Sequence, residues 1–176
     1  MTDPAAFTTL ISRYHALGRY CDDVFAATLQ VWRPHIRCAE GCAACCLLET
    51  VVPLEAYVIT AYLQSRPPLA FENGATHPDQ CVFLYQNHCA IYPVRPLICR
   101  THGLPLAYSA QQTVDACPRN FTEVDLAALD PQWWFDADRL AENLIRLNLA
   151  FCLLTQQADA AGERIALRRL LVTQPV

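Results

Sequence analysis

Four cysteines fall within nine residues as Cys38-x3-Cys42-x2-Cys45-Cys46, and four more follow as Cys81, Cys89, Cys99 and Cys117. Reduced thiols at such spacing are ligands for a soft metal, because thiolate is the donor that zinc and iron–sulfur centres share. Eight thiols divide into two sets of four, each sufficient for a tetrahedral zinc or a [4Fe–4S] cubane, or into one cluster plus spares. The other two of the ten cysteines, Cys21 and Cys152, lie on or beside apolar helical stripes and are expected to be core thiols.

In a helix, Cys38, Cys42 and Cys45 would share one face. Gly41 and the polar flanks predict instead a turn that wraps its side chains around an ion. Consecutive side chains diverge, so Cys45 and Cys46 are expected to serve two sites or to supply a single ligand between them; a vicinal disulfide is a further alternative. Only Cys42-x2-Cys45 has the paired-knuckle form usual for zinc, and the irregular spacing favours iron–sulfur. His35, His88 and His102 lie near cysteines and could replace a thiol, although ordinary surface or core roles are expected for them. Arg33, Arg37, Arg95, Arg100 and Arg119 each stand within five residues of a clustered cysteine, where fixed positive charge favours thiolate. Arg95 and Arg100 are expected to hydrogen-bond cluster sulfur or to pair with a carboxylate, tuning the centre from outside its ligands.

Composition removes several alternatives. All 13 basic residues are arginine, which excludes a Schiff-base lysine, a phosphate-loop lysine and a lysine general base. Five glycines form no phosphate-cradling run, and no Ser-His-Asp order or convergent carboxylate set occurs. A net charge of −4 gives no electrostatic case for nucleic acid. The start of the chain shows no basic segment followed by an apolar one, and no apolar run approaches the ~18 residues of a membrane span. A cytoplasmic chain with reduced thiols is expected, and a disulfide framework is the weaker reading.

Helices must hold these loops. Asp3 as cap and Pro4 at the first helical position open helix one, whose stripe runs Phe7, Leu10, Ile11, Tyr14, Leu17, Cys21, Val24, Phe25 and Thr28 to an end near Trp32–Pro34. Leu47–Val52 is expected to be extended. A second helix is expected from Pro53 to about Ser65, with Leu54, Tyr57, Val58, Ala61 and Tyr62 inward. Residues 66–118 carry no long periodic segment, so bound metal would have to supply order there. Asp130 and Pro131 repeat the opening of helix one, and Trp133, Ala137, Leu140, Leu144, Leu147, Phe151 and Leu154 form a seam expected to pack on it. A last helix is expected from about Ala161 to Val172, with Ile165, Leu167, Leu170 and Leu171 inward and Arg164, Arg168 and Arg169 solvated. The fold class is mainly α: one small helical domain over residues 1–176, in which irregular Cys-rich metal-binding loops at 37–118 are framed by N- and C-terminal helices.

The spacing Cys38-x3-Cys42-x2-Cys45 is that of radical S-adenosylmethionine enzymes, but the chain has neither the length nor the strand–helix alternation of their barrel. Taken together, Cys38-x2-Gly41-Cys42-x2-Cys45-Cys46, Cys81, Cys89, Tyr92, Arg95-Pro96-x2-Cys99-Arg100 and Cys117 resemble the bacterial cysteine-cluster family. That family is described as chelating zinc or iron and often labelled iron–sulfur oxidoreductase. The cluster is also similar to that of the larger flagellin lysine methylases. The first gap here is three residues, where relatives have two or three. The resemblance covers about residues 37–118. It implies a metal held by Cys38, Cys42, Cys45, Cys46, Cys81, Cys89, Cys99 and Cys117: an iron–sulfur cluster ([4Fe–4S]) with a redox or electron-transfer role and a redox or protein partner, or a zinc-stapled interaction module. A methyltransferase-like or oxidoreductase enzyme is the third reading.

Overall fold

Asp3 opens the first helix as its residue type predicts: its Oδ1 accepts the backbone N–H of Ala5 at 2.9 Å and of Ala6 at 3.4 Å. The computed structural model describes residues 3–66 and 79–171. In chain order its elements are α1 (Pro4–Trp32), β1 (Thr50–Val51), α2 (Pro53–Gln64), β2 (Leu84–Tyr85), β3 (His88–Cys89), α3 (Leu97–Thr101), β4 (Leu106–Tyr108), β5 (Thr113–Asp115), β6 (Phe135–Asp136), α4 (Ala137–Leu154), β7 (Ile165–Ala166) and α5 (Leu167–Leu171). Short 3-10 turns lie between several of them. The fold is mainly α, with Cys38, Cys42, Cys45, Cys46, Cys81 and Cys117 on the irregular connections. No described helix is long and apolar enough to cross a membrane.

The chain divides into two compact units, one of Met1–Phe7, Glu40–Pro96 and Asn148–Val176, the other of Thr8–Ala39 and Leu97–Leu147. In the first unit, Val51, Ala56, Ile59, Leu63, Phe83, Ile91, Leu167 and Leu170 form a closed core. Burying one such aliphatic or aromatic side chain contributes about 1.5–3 kcal/mol. That burial, more than any ladder, holds the two-residue strands, which pair β1 with β7 and β2 with β3, both antiparallel. Helix α2 begins at Pro53, and its cap residue Val52 has no side-chain acceptor. Asn148 of α4 supplies one: its Oδ1 accepts the Leu54 N–H at 3.0 Å, while its Nδ2 donates to the Ala161 carbonyl at 2.9 Å. Phe7 of α1 meets Phe151 of α4 at 6.0 Å, and Tyr57 lies 5.4 Å from each ring.

In the second unit, β4 pairs with β5 antiparallel and with β6 parallel, giving the order β5-β4-β6. Leu10, Tyr14, Gly18, Cys21 and Thr28 are the buried positions of α1. Trp32 packs on His35, Phe121 and Trp133, with ring centroids about 6 Å apart.

Three expectations need correction. Asp130 does cap, its Oδ1 accepting the Gln132 N–H at 3.0 Å, but what it caps is a 3-10 turn over Pro131–Trp133. The long helix α4 starts later, where Asp136 Oδ1 accepts the Arg139 N–H at 2.8 Å, because Phe135–Asp136 is drawn into a strand beside β4. On α2, Leu54 and Val58 are buried but Tyr57 and Ala61 are exposed, and Ala56, Ile59 and Leu63 face the core instead. That helix is apolar nearly all round, so tertiary packing selects the inner face and periodicity does not. The expected last helix is three pieces: a 3-10 turn at Ala158–Gly162, strand β7, and α5 from Leu167. Ile165 pairs with Val51, and Leu167 N–H donates to the Glu49 carbonyl at 2.8 Å, which draws the chain out of helix. Leu167 and Leu170 are buried as expected; Val172 lies outside the described residues. Arg164 bonds Thr50 through both its carbonyl, at 3.0 Å, and its hydroxyl, at 3.3 Å.

Candidate metal centre

Burial separates the ten cysteines into two groups. Cys21 and Cys152 are 0% exposed, as core thiols should be, whereas the eight clustered cysteines are all half-buried. None of the ten is in a disulfide. Half-burial is what a ligand needs, since the sulfur must leave water yet remain reachable by an ion.

In the first unit, Cys42, Cys45 and Cys46 lie on a turn and not on a helix. Gly41 adopts φ +82°, which a glycine tolerates without strain, and Cys46 N–H closes the turn on the Ala43 carbonyl at 3.0 Å. Cys45 and Cys46 do not diverge as expected. Their thiols hydrogen-bond each other, and that bond, with burial second, pushes the Cys45 thiol far above its ordinary value.

Cys81 and Cys89 flank and close a hairpin. Gln86 and Asn87 both have positive φ, at 47° and 63°, the conformation that a two-residue turn requires if it is to match strand twist. Cys89 pairs with Leu84 across it, and Cys81 accepts at its carbonyl the N–H of Leu84 at 2.9 Å. Both sulfurs receive a backbone N–H from two residues onward, Cys81 from Phe83 and Cys89 from Ile91. Burial raises both thiols, and for Cys89 the charge of Cys81 adds to the rise while that of Arg95 opposes it. Both pack against the core of the first unit. The backbone joins this hairpin to the first turn, Cys81 N–H donating to the Cys46 carbonyl.

Arg95 lies with its guanidinium 4.0 Å from the Tyr92 ring centroid and donates to the Tyr92 carbonyl at 3.1 Å. Its charge also acts on Cys89, opposing the rise of that thiol. His88 directs Nδ1 to the Gln86 carbonyl at 2.8 Å and Nε2 to the Glu40 carboxylate at 3.4 Å.

In the second unit stand Cys38, Cys99 and Cys117. Cys38 follows buried Ile36, and its Sγ lies 3.3 Å from Nδ2 of Asn120. Cys99 sits inside α3, where the next residue, Arg100, pairs with Asp22 of α1, the carboxylate partner expected. Gly18 leaves room for that arginine: a Cβ there would lie 3.3 Å from Arg100 Nε. Cys117 anchors a turn in which Asn120 N–H donates to its carbonyl at 2.8 Å. His102 is held below its ordinary value by burial, and His35 stacks on Phe121 at 6.5 Å. Asn120 is a residue the sequence alone does not single out, since an asparagine three positions after a cysteine carries no periodic or motif signal.

The donor set suits zinc or iron: many sulfurs, unbridged, half-buried, and several already facing N–H groups. The geometry pre-forms pairs, Cys45 with Cys46 and Cys81 with Cys89. Among the described residues, no three cysteine, histidine or acidic side chains are grouped so as to hold one ion.

Thiol donors gathered mostly on short turns are what a thiol-based chelating domain presents. Residues 37–119, just under half of the chain, match the family model CxxCxxCC, described as "Putative zinc- or iron-chelating domain". No curated protein and no solved structure matches the chain.

Proposed function

We propose that the clustered thiols chelate an iron–sulfur cluster and that the protein serves as a redox, electron-transferring component. Cys38, Cys42, Cys45, Cys46, Cys81, Cys89, Cys99 and Cys117 are the candidate ligands, with Arg95 and Arg100 acting around them. The observation that carries this reading is the burial split, eight unbridged half-buried thiols against two sealed core thiols. A cluster of this kind takes or gives one electron at a potential set by charge and by hydrogen bonds to sulfur, both supplied here by main-chain N–H groups and arginine.

The test is anaerobic purification after growth with iron and sulfide. Iron with acid-labile sulfide and a visible charge-transfer spectrum that bleaches on reduction supports the reading. Colourless protein with stoichiometric zinc overturns the redox role, and protein that takes up neither metal overturns chelation.

One observation favours zinc as the second reading. Cys81 and Cys89 pack on the core of the first unit, and between residues 79 and 118 no described helix exceeds the five residues of α3. A structural zinc can contribute on the order of 10 kcal/mol to folding, enough to hold such a segment as an interaction module.

A further inference from the structure

We infer that Asn120 is a positioning residue for the thiol centre, its buried amide fixing the Cys38 sulfur and donating a hydrogen bond to it. The inference rests on the reading that Cys38 ligates metal. Asn120 is 5% exposed. Its Oδ1 accepts the Arg37 N–H at 2.9 Å, and its Nδ2 donates to the Gly103 carbonyl at 2.9 Å and to Cys38 Sγ at 3.3 Å. The first two bonds fix which way the amide points. Turned over, its oxygen would face the Gly103 carbonyl and its NH₂ the Arg37 N–H, two repulsive contacts in place of two attractive ones. The group presented to sulfur is therefore the donor.

Gly103 completes the cradle. It holds φ +104°, and a Cβ there would lie 2.6 Å from Cys38 Sγ and 3.0 Å from Asn120 Nδ2, so the sulfur occupies the space a side chain would need. The same carbon would lie 3.3 Å from Phe25, the wall on the far side. Hydrogen bonds to a ligating sulfur draw negative charge from it, and at iron they favour the reduced state; outer groups of this kind are worth about 10- to 100-fold in metal affinity.

The experiment loads full-length protein with cobalt(II), whose thiolate charge-transfer absorption reports sulfur ligation directly. It compares the wild type with Asn120→Asp, Cys38→Ser and the double variant. Asn120→Asp keeps the acceptor for Arg37 and removes the donor to sulfur and to the Gly103 carbonyl. Cobalt affinity is expected to fall about 10- to 100-fold, with a displaced charge-transfer band. In the Cys38→Ser background the same change is expected to have no further effect, because its target is gone. An unchanged band and affinity in Asn120→Asp overturns the inference, and so does an equal loss in the Cys38→Ser background, which marks a purely structural role. Should Asn120→Asp fail to fold, Asn120→Ser, too short to reach the sulfur, takes its place with the same two outcomes. Wild-type protein without any thiolate band overturns chelation itself. A normal wild-type band that survives Cys38→Ser instead leaves chelation standing and removes Cys38, and the inference, from it.

Discussion

The carbonyl oxygen of Cys46 accepts the backbone N–H of Cys81 at 2.8 Å, so the main chain itself joins the two cysteine groups of the first unit. Their approach is set by folding itself, since one partner lies in a closed turn and the other begins a paired hairpin.

Exchange of single thiols should separate ligands from core. Cys81→Ser and Cys89→Ser are expected to lower bound metal and to abolish the rise in Tm that metal confers, a rise equivalent to about 2.7 kcal/mol at a hundredfold excess over Kd. Cys21→Ser and Cys152→Ser place a hydroxyl in a sealed apolar site. They are expected to cost about 1–3 kcal/mol of stability while leaving metal content intact. Elemental analysis beside thermal melts reads both, and metal loss from the core variants alone would reverse the assignment.

Alkali should weaken the metal-free protein. Burial pushes the Cys81 and Cys89 thiols up, and the bond to Cys46 does the same to Cys45, so the folded chain keeps these protons to higher pH than the unfolded chain. Their stabilisation is complete below the ordinary thiol value of 9.0 and fades as pH climbs through the raised values. Tm should stay flat up to about pH 9 and then decline, more shallowly in a Cys81→Ser/Cys89→Ser variant. Metal affinity runs the other way, rising with pH because ions displace those protons. A Tm that increases above pH 9 contradicts the assignment.

Asn148 bonds two main-chain groups at once. Asn148→Leu leaves the Leu54 N–H and the Ala161 carbonyl without it, and is expected to cost about 2–4 kcal/mol by chemical denaturation. Asn148→Asp, which keeps the acceptor, should cost less. Equal losses would show that capping α2 is not its contribution.

The pairing of Arg100 with Asp22 is half-buried, the arginine side chain 11% exposed and the aspartate 37%. Asp22→Asn should destabilise by about 1–3 kcal/mol, because the arginine charge stays in place without its counterion. The loss should persist at high salt; one that disappears in 1 M salt would indicate a screened surface pair instead.

Much of this was legible in the residues. Asp3-Pro4 marked the start of α1, Gly41 marked a turn, and the stripe positions of Cys21 and Cys152 marked core thiols. Asp130-Pro131 misled, because a cap signal specifies a helical turn without specifying its length, and the strand partner of Phe135 lies 29 residues away at Leu106. Ile165 became strand for the same reason, its pairing with Val51 being invisible to local periodicity. The bonds of Asn120 likewise depend on where remote backbone arrives. Asn148 carries no sequence signal either, since the Leu54 N–H and the Ala161 carbonyl it bonds come from elsewhere in the chain.

The sealing of Cys21 and Cys152 gives the folded chain a built-in reference for chemical labelling. An alkylating reagent that reaches only half-buried sulfur can add at most eight adducts to the native protein, against ten once it is denatured. Each ion that occupies the protein shields its own ligands from the reagent. The mass of the labelled chain therefore counts the sulfurs engaged, without any need for the ion to be coloured.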